Sequence, residues 1–164
     1  MASTFIPIQT ITTTTSPTSI TFSSIPQTYK HLCLIQNVNP STGTEQKMFI
    51  NNNTTAVYRF GEMNFTGSAA PTQYRGSSTT SSLGQTQLNQ NVMSGVEIWI
   101  PNYVSTNLSK SYLYRSTSVD NAGSNSGSYG FGQMDEVGAI SSLAFTLSSG
   151  TYNNGSNITL YGLD

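Results

Sequence analysis

The feature that most constrains this chain is its succession of short β-type segments separated by turn residues. Runs rich in Ile, Val, Tyr, Phe and Thr are bounded by Gly, Pro, Asn and Ser along nearly the whole sequence, and helical periodicity is nearly absent. Short strands with turns at close intervals are typical of sandwiches and barrels. The pattern therefore predicts an all-β fold, an antiparallel β-sandwich of the jelly-roll type with about eight to ten strands.

The length of 164 residues predicts one folded unit. Residues 1–18 are rich in Thr and Ser and are predicted to form an N-terminal arm or edge strand, and residues 19–164 a single β-sandwich domain. Such an arm is the natural element to reach a neighbouring subunit or to add to the edge of a sheet.

Most strands can be placed from their alternation of polar and apolar residues. The segment Tyr29–Val38 carries apolar residues on both faces, which predicts a strand covered on both sides. In Val96–Ile100 the three β-branched residues are expected to face the core and Glu97 and Trp99 to face away, and Ser111–Ser116 is expected to complete a hairpin with it. The other strands are predicted at Thr4–Thr13, Ser19–Phe22, Gln46–Ile50, Ala139–Leu147 and Asn157–Leu163.

Three segments are less regular. Ala56–Phe65 fits either a strand or a brief helix. The polar stretch Thr66–Asn91 is too long for a plain loop, and we expect one or two strands in it, near Thr72–Arg75 and Gln85–Leu88. Asp120–Gly132 is rich in Gly and Ser and is predicted to be a loop.

Charge argues against several kinds of partner. Charged residues make up 8% of the chain, the net charge is −1, and the Lys and Arg residues are spread singly. Nucleic-acid binding needs clustered cations, so we expect no nucleic-acid partner. The start of the chain is unlike a signal peptide and no run approaches the length of a membrane helix, so we expect no membrane insertion. Weakly charged copies repel one another little, which favours self-association.

The sequence offers little for chemistry. The single histidine, His31, is expected to be structural or to lie at an interface, and the single cysteine, Cys33, to be a small buried residue. We therefore predict no catalytic, cofactor-binding or metal site. A polysaccharide-degrading enzyme is a third alternative, and it would depend on the adjacent carboxylates of Asp135 and Glu136.

Aromatic side chains and polar loops are the candidate binding groups. Tyr and Trp supply rigid contact area at protein interfaces and can also stack on a sugar, although the tyrosines could equally belong to the core. The polar segments Asn51–Thr55, Gly67–Ser82 and Asn121–Ser128 offer neutral groups to a glycan or protein. The candidate interface or glycan-contact residues are Trp99, Tyr103, Tyr112 and Tyr114 of the hairpin region, with Phe5 and Ile6 of the arm.

Three segments carry a family resemblance. Ile20–Leu32 contains Ile-Thr-Phe followed by Ile-Pro-x-x-Tyr-x-x-Leu, Ala139–Leu143 precedes the turn Gly150–Ser156, and Ile158–Leu163 ends in Leu-Tyr-Gly-Leu. Together they resemble a small β-sandwich domain of virion structural proteins from tailed bacteriophages. Met134 stands near the place where that family often carries a Trp.

The resemblance implies a non-enzymatic structural protein on the outer surface of the phage particle. The expected role is a capsid decoration (cement) protein that binds the head shell, through the major capsid protein or another virion protein, and self-associates, with a trimer favoured. The alternative is a tail-associated receptor-binding module that recognises a host surface glycan. The single-domain length favours decoration, because tail fibres usually add a shaft or a separate attachment domain.

Overall fold

The computed structural model describes residues 4–55, 58–67, 69–78, 81–88, 90–119 and 125–164, and these residues form an all-β structure. The described residues form twelve strands, more than the eight to ten predicted, because the segment predicted as a loop at Asp120–Gly132 and the undecided segment Ala56–Phe65 both contribute strands. The strands are β1 Ile6–Thr12, β2 Ser19–Phe22, β3 His31–Val38, β4 Thr44–Ile50, β5 Tyr58–Thr66, β6 Thr72–Ser78, β7 Ser81–Leu88, β8 Ser94–Ile100, β9 Ser109–Val119, β10 Asn125–Val137, β11 Leu143–Leu147 and β12 Asn157–Leu163.

The strands form two antiparallel sheets. The larger sheet has the order β1-β12-β3-β8-β9-β10-β5-β6, and the smaller has the order β2-β11-β4-β7. Buried side chains of both sheets form one hydrophobic cluster, and the amide of Gln46 on β4 donates a 2.9 Å hydrogen bond to Gln36 on β3. We call β1, β12, β3 and β8 together with the smaller sheet the body, and β9, β10, β5 and β6 the extension.

Alternation places the body residues as the sequence predicts. Val96, Ile98 and Ile100 are buried, whereas Glu97 and Trp99 point to the opposite face of β8. β9 pairs with β8, so the expected hairpin partner is confirmed. Cys33 is fully buried, as expected for a small strand residue.

The prediction of a loop at Asp120–Gly132 is wrong for its described part. Residues 125–132 belong to the long strand β10, and residues 120–124 lie outside the described residues. The glycines that suggested a loop make room for large rings: a Cβ on Gly130 would lie 2.4 Å from the Tyr114 ring, and one on Gly132 would lie 2.1 Å from the Tyr112 ring. Glycine in a strand often marks such a close approach.

The other irregular segments are strands. β6 and β7 confirm the expectation of strands within Thr66–Asn91. Ala56–Phe65, left open between strand and helix, is a strand from Tyr58 onward, and residues 56 and 57 lie outside the described residues. β11 begins at Leu143, four residues later than the predicted Ala139.

Residues 4–12 of the predicted arm lie on the edge of the larger sheet. β1 pairs antiparallel with β12 of its own chain, from Ile6 opposite Gly162 to Thr12 opposite Asn157, with an irregularity between Pro7 and Gln9. The backbone NH of Thr13 then donates to the carbonyl of Ser156 over 2.8 Å. These contacts hold the segment against its own chain.

Contacts join the three segments that carry the family resemblance. The amide of Gln27 donates to the carbonyl of Ile140 over 2.8 Å, and the backbone NH of Lys30 donates to the carbonyl of Leu163 over 2.9 Å. The ring of Tyr29 lies over Gly162, where a Cβ would be 2.3 Å from it. The quoted motif residues therefore support one another within the fold.

Candidate functional site

Three of the predicted contact residues are buried. Tyr103, Tyr112 and Tyr114 are each at most 2% exposed. On β9 the even-numbered residues face inward, which places both of its tyrosines under the larger sheet, and the hydroxyl of Tyr103 donates to the carbonyl of Pro26. Their prediction as surface contacts is therefore wrong, and the alternative assignment of the tyrosines to the core is confirmed.

The remaining predicted contact residues meet on the outer face of the larger sheet. The ring of Phe5 meets those of Trp99 and Tyr161 edge-on, with ring centroids 5.6 Å and 5.8 Å apart. Phe5 is 46% exposed and Ile6 beside it is also exposed. We call Phe5, Trp99 and Tyr161 the aromatic cluster. Its rings come from β8, β12 and the residue before β1, at one end of the sheet order.

Cys33 lies between the rings of this cluster. It is the cross-strand neighbour of both Trp99 and Tyr161, and it is fully buried although it belongs to the outer face. Burial raises the pKa of the Cys33 thiol to about 12, with a smaller contribution from the carboxylate of Glu97. A neutral, covered thiol of this kind is inert rather than nucleophilic.

An ion pair borders the aromatic cluster. The guanidinium of Arg115 on β9 donates to the carboxylate of Glu97 on β8, through Nε at 2.6 Å from Oε2. The indole NH of Trp99 donates to the other oxygen of the same carboxylate. With Leu113 and Tyr129, these residues line a hollow of about 230 Å³ whose charges are paired.

The extension carries a second and larger depression, which we call the β5 groove. Its floor is Gly61 and Met63 on β5, its β10 wall is Tyr129 and Phe131, and its β6 wall is Gln73 and Arg75, each wall residue being a cross-strand neighbour of a floor residue. The groove has a volume of about 670 Å³, and Glu62 and Tyr74 also line it.

Glycine shapes the floor of the β5 groove. Because Gly61 has no side chain, the ring of Phe131 leans over it, and a Cβ at that position would lie 2.8 Å from the ring. Phe131 nevertheless remains 59% exposed, and Tyr129 is 55% exposed. One wall of the groove is therefore an exposed aromatic surface.

The cations of the extension differ in their pairing. Arg59 forms an ion pair with Asp135, and Arg115 forms one with Glu97. Within the described residues, the exposed Arg75 makes neither an ion pair nor a side-chain hydrogen bond. The third alternative, an enzyme, would need the carboxylate of Asp135 that Arg59 holds, and the side chain of Glu136 lies outside the described residues.

The inner face of the extension buries polar groups beside its core tyrosines. The hydroxyl of Tyr114 donates to Glu62 Oε2 over 2.7 Å, and the amide of Asn64 donates to Glu62 Oε1 over 2.8 Å. The hydroxyls of Ser116 and Ser128 are hydrogen-bonded at 2.8 Å. Burial, with the adjacent carboxylate of Glu62, raises the pKa of Tyr114 well above its usual range, so this phenol stays a hydrogen-bond donor.

In the structure, the polar segments predicted to contact glycans partly form strands and hydrogen bonds within the chain. The Oδ1 of Asn51 accepts from the backbone NH of Ser141 over 2.8 Å, which ties its turn to the segment before β11. The described parts of Gly67–Ser82 and Asn121–Ser128 lie largely in β6, β7 and β10, and residues 68, 79, 80 and 121–124 lie outside the described residues.

The described part of the chain contains no group of three or more His, Cys, Asp or Glu side chains placed to hold a metal ion. The Nδ1 of His31 accepts from the backbone NH of Asn102 over 3.1 Å, which is a structural contact. No helix in the described ranges is long and apolar enough to cross a membrane.

Sequence reasoning missed the β5 groove, although a signal was present. Between Gly127 and Gly132, residues alternate strictly between Gly or Ser and an aromatic at positions 129 and 131. Alternation with a period of two predicts a strand with aromatics on one face and small residues on the other. The loop prediction weighed the composition of this segment and overlooked its period.

Neither models of known protein families nor curated protein sequences give a match to this chain.

Proposed function

We propose that this chain is a non-enzymatic structural protein of a tailed bacteriophage particle, a capsid decoration protein that binds the head shell and associates with its own copies as a trimer. The three sequence segments that resemble the family support this proposal, and they contact one another in the structure. A surface with few charges also lets like copies approach closely.

The proposed fold is a jelly-roll β-sandwich with an insertion. In a jelly roll, eight strands form two four-stranded sheets through two Greek keys. The orders β1-β12-β3-β8 and β2-β11-β4-β7 are compatible with this arrangement when β5, β6, β9 and β10 are set aside. The extension would then consist of two inserted strand pairs that widen one sheet.

The observation that carries the proposed binding role is the aromatic cluster. It places three rings on the outer face, and the exposed ring of Phe5 and the half-buried ring of Trp99 come from distant parts of the sequence. Aromatic residues with apolar neighbours are enriched at the energetic centres of protein interfaces. We propose that this cluster, with Ile6, contacts the major capsid protein or another virion protein.

The first test measures the size of the purified chain and its binding to shells. Light scattering should show a trimer, and the trimer should sediment with empty heads of the phage that encodes it. Phe5→Ala should weaken shell binding about tenfold, the loss typical of an interface anchor. Phe131→Ala, which removes an exposed ring five strands away from β1 in the same sheet, is the matched control and should leave shell binding unchanged. An oligomer that ignores shells would contradict the decoration role.

The second candidate is a tail-associated module that recognises a host surface glycan. The hollow beside Trp99 favours it, because an aromatic ring, an apolar floor at Leu113 and the paired charges of Glu97 and Arg115 suit a neutral sugar. A glycan array separates the candidates. Saturable binding that Trp99→Ala abolishes would support recognition, and an array without binding would support the structural role.

A further inference from the structure

The β5 groove differs from the other depressions of the outer face in its charge. In the hollow beside Trp99 the guanidinium of Arg115 is neutralised by Glu97, whereas Arg75 in the β5 groove has no ionic partner among the described residues. Glu62, the carboxylate that also lines the groove, accepts hydrogen bonds from Tyr114 and Asn64 on the inner side of β5. Among the described residues, the groove therefore offers one cation, at its β6 wall, that belongs to no ion pair.

The two walls of the groove present complementary chemistry. The β10 wall is the exposed aromatic surface of Tyr129 and Phe131, and the β6 wall carries the amide of Gln73 and the guanidinium of Arg75. The walls lie on β10 and β6, which are two strand spacings apart, a distance of about 10 Å. A ligand that fills this width must therefore be apolar on one side and anionic on the other.

From this arrangement we infer that the β5 groove binds a carboxylated saccharide. The C–H face of a pyranose ring packs on the rings of Tyr129 and Phe131, as polarised C–H groups do on the negative face of an aromatic ring. The carboxylate accepts a bidentate hydrogen bond from Arg75, for which a planar guanidinium is suited. Gln73 is placed to bond a sugar hydroxyl.

A saccharide fits the groove better than an acidic peptide. An extended peptide would gain its affinity by pairing with the backbone of an edge strand. The floor of the groove is instead the middle of β5, whose backbone is already paired with β10 and β6 on its two sides. Recognition in the groove must therefore come from side chains.

This inference goes beyond shell binding and is tested apart from it. The aromatic cluster and the β5 groove share no residue, and β1 and β6 are the two outermost strands of the sheet, so Phe5→Ala and Arg75→Gln test the two proposals separately. Failure of either proposal would leave the other standing.

The experiment titrates the full chain with trigalacturonate, with its neutral methyl ester and with triglutamate peptide, by calorimetry. Trigalacturonate should bind saturably, and the ester and the peptide should bind at least about tenfold more weakly, since the ester lacks the charge and the peptide lacks the ring face. Arg75→Gln should weaken trigalacturonate binding by about tenfold or more, Arg75→Lys by less, and Phe131→Ala by about tenfold.

Arg59→Gln is the matched control for charge. Arg59 is an exposed arginine on the neighbouring strand, it is paired with Asp135, and it does not line the groove, so its removal should change affinity less than twofold. The inference is overturned if trigalacturonate shows no saturable binding at millimolar concentration, if the ester or the peptide binds equally well, or if Arg59→Gln weakens binding as much as Arg75→Gln.

Discussion

The body and the extension differ in the groups that fill their inner faces and in the exposure of their outer faces. Between the sheets of the body the buried side chains are mainly aliphatic and aromatic, as at Leu34, Ile98 and Phe145. The inner face of the extension buries, beside the tyrosines of β9, the carboxylate of Glu62 and the hydroxyl of Ser116. Buried polar groups are tolerated only when they are hydrogen-bonded, and these are.

The outer faces of the body and the extension differ in how far one cross-strand row of residues is exposed. In the body, Cys33 is covered beside the aromatic cluster. In the extension, the residues of the same cross-strand row are open: Leu113 is 47% exposed and Phe131 more so. Apolar side chains that stay in water contribute little to stability, so we infer that the outer face of the extension is specialised for presenting a surface.

The largest expected effect tests this division directly. Leu34→Ala should destabilise the protein by about 2–5 kcal/mol, because it removes a fully buried side chain and leaves a cavity. Leu113→Ala, the same substitution on the outer face of the extension, should cost less than about 1 kcal/mol. Urea unfolding followed by circular dichroism measures both, and equal losses would refute the contrast.

The second effect concerns the glycines of the extension. Gly132→Ala should cost about 1–3 kcal/mol, because its Cβ would overlap the ring of Tyr112, which is fully buried and cannot move aside. Gly61→Ala should cost less, since the ring that it would meet, Phe131, is exposed and can swing outward. Thermal unfolding midpoints of the two variants give the comparison, and a larger loss for Gly61→Ala would contradict it.

The sequence predicted the body better than the extension for a physical reason. In the body, burial follows a period of two in aliphatic residues, so Val96–Ile100 and Asn157–Leu163 could be placed with their faces. In the extension, Gly and Ser occupy the inner positions of β10 under the tyrosines of β9. The small residues of such a strand are required because rings from the neighbouring strand cover them. The composition of the segment does not show this contact.

The candidate site shows the same limit. Phe5 and Trp99 were selected as exposed aromatics, and the structure brings them together, but their contact depends on the pairing of β1 with β12. The tyrosines of β9 could not be assigned to a face without the register of the sheet. Arg75 was not selected, because its lack of an ionic partner among the described residues is a property of the fold and not of the sequence.

A third prediction tests the polar interior of the extension. Tyr114→Phe should destabilise the protein by on the order of 1–2 kcal/mol, because it removes a 2.7 Å hydrogen bond to the buried carboxylate of Glu62. Tyr129→Phe makes the same chemical change at an exposed ring of the outer face and should be nearly neutral. Chemical denaturation at neutral pH distinguishes them. If Tyr114→Phe were also neutral, the interior network would add nothing to stability.

The smallest expected effect uses pH to compare the two outer faces. Burial raises the pKa of Cys33 from 9.0 to about 12, so above pH 9 the unfolded thiol loses its proton while the folded one keeps it. Stability should therefore fall as the pH rises through 9, by on the order of 1 kcal/mol at pH 10, and this contribution should be absent from Cys33→Ala. Urea unfolding of both proteins between pH 7 and pH 10 measures it, and the difference between the two proteins removes the contribution of the tyrosines, which begin to ionise in the unfolded chain near pH 10.

The double variant Cys33→Ala, Leu113→Cys provides an exposed thiol in the extension for comparison with the buried thiol of Cys33. Position 113 lies in the same row of the sheet, in the extension, and is exposed, so its thiol should keep an ordinary pKa and add no alkaline loss of stability. It should also react rapidly with a thiol reagent at pH 8, whereas native Cys33 should not.

Because Phe5 contacts both rings beside Cys33, Phe5→Ala should speed the labelling of Cys33, and Phe131→Ala should not. Equal labelling of Cys33 and of the cysteine at 113 would mean that the body's outer face is as open as that of the extension.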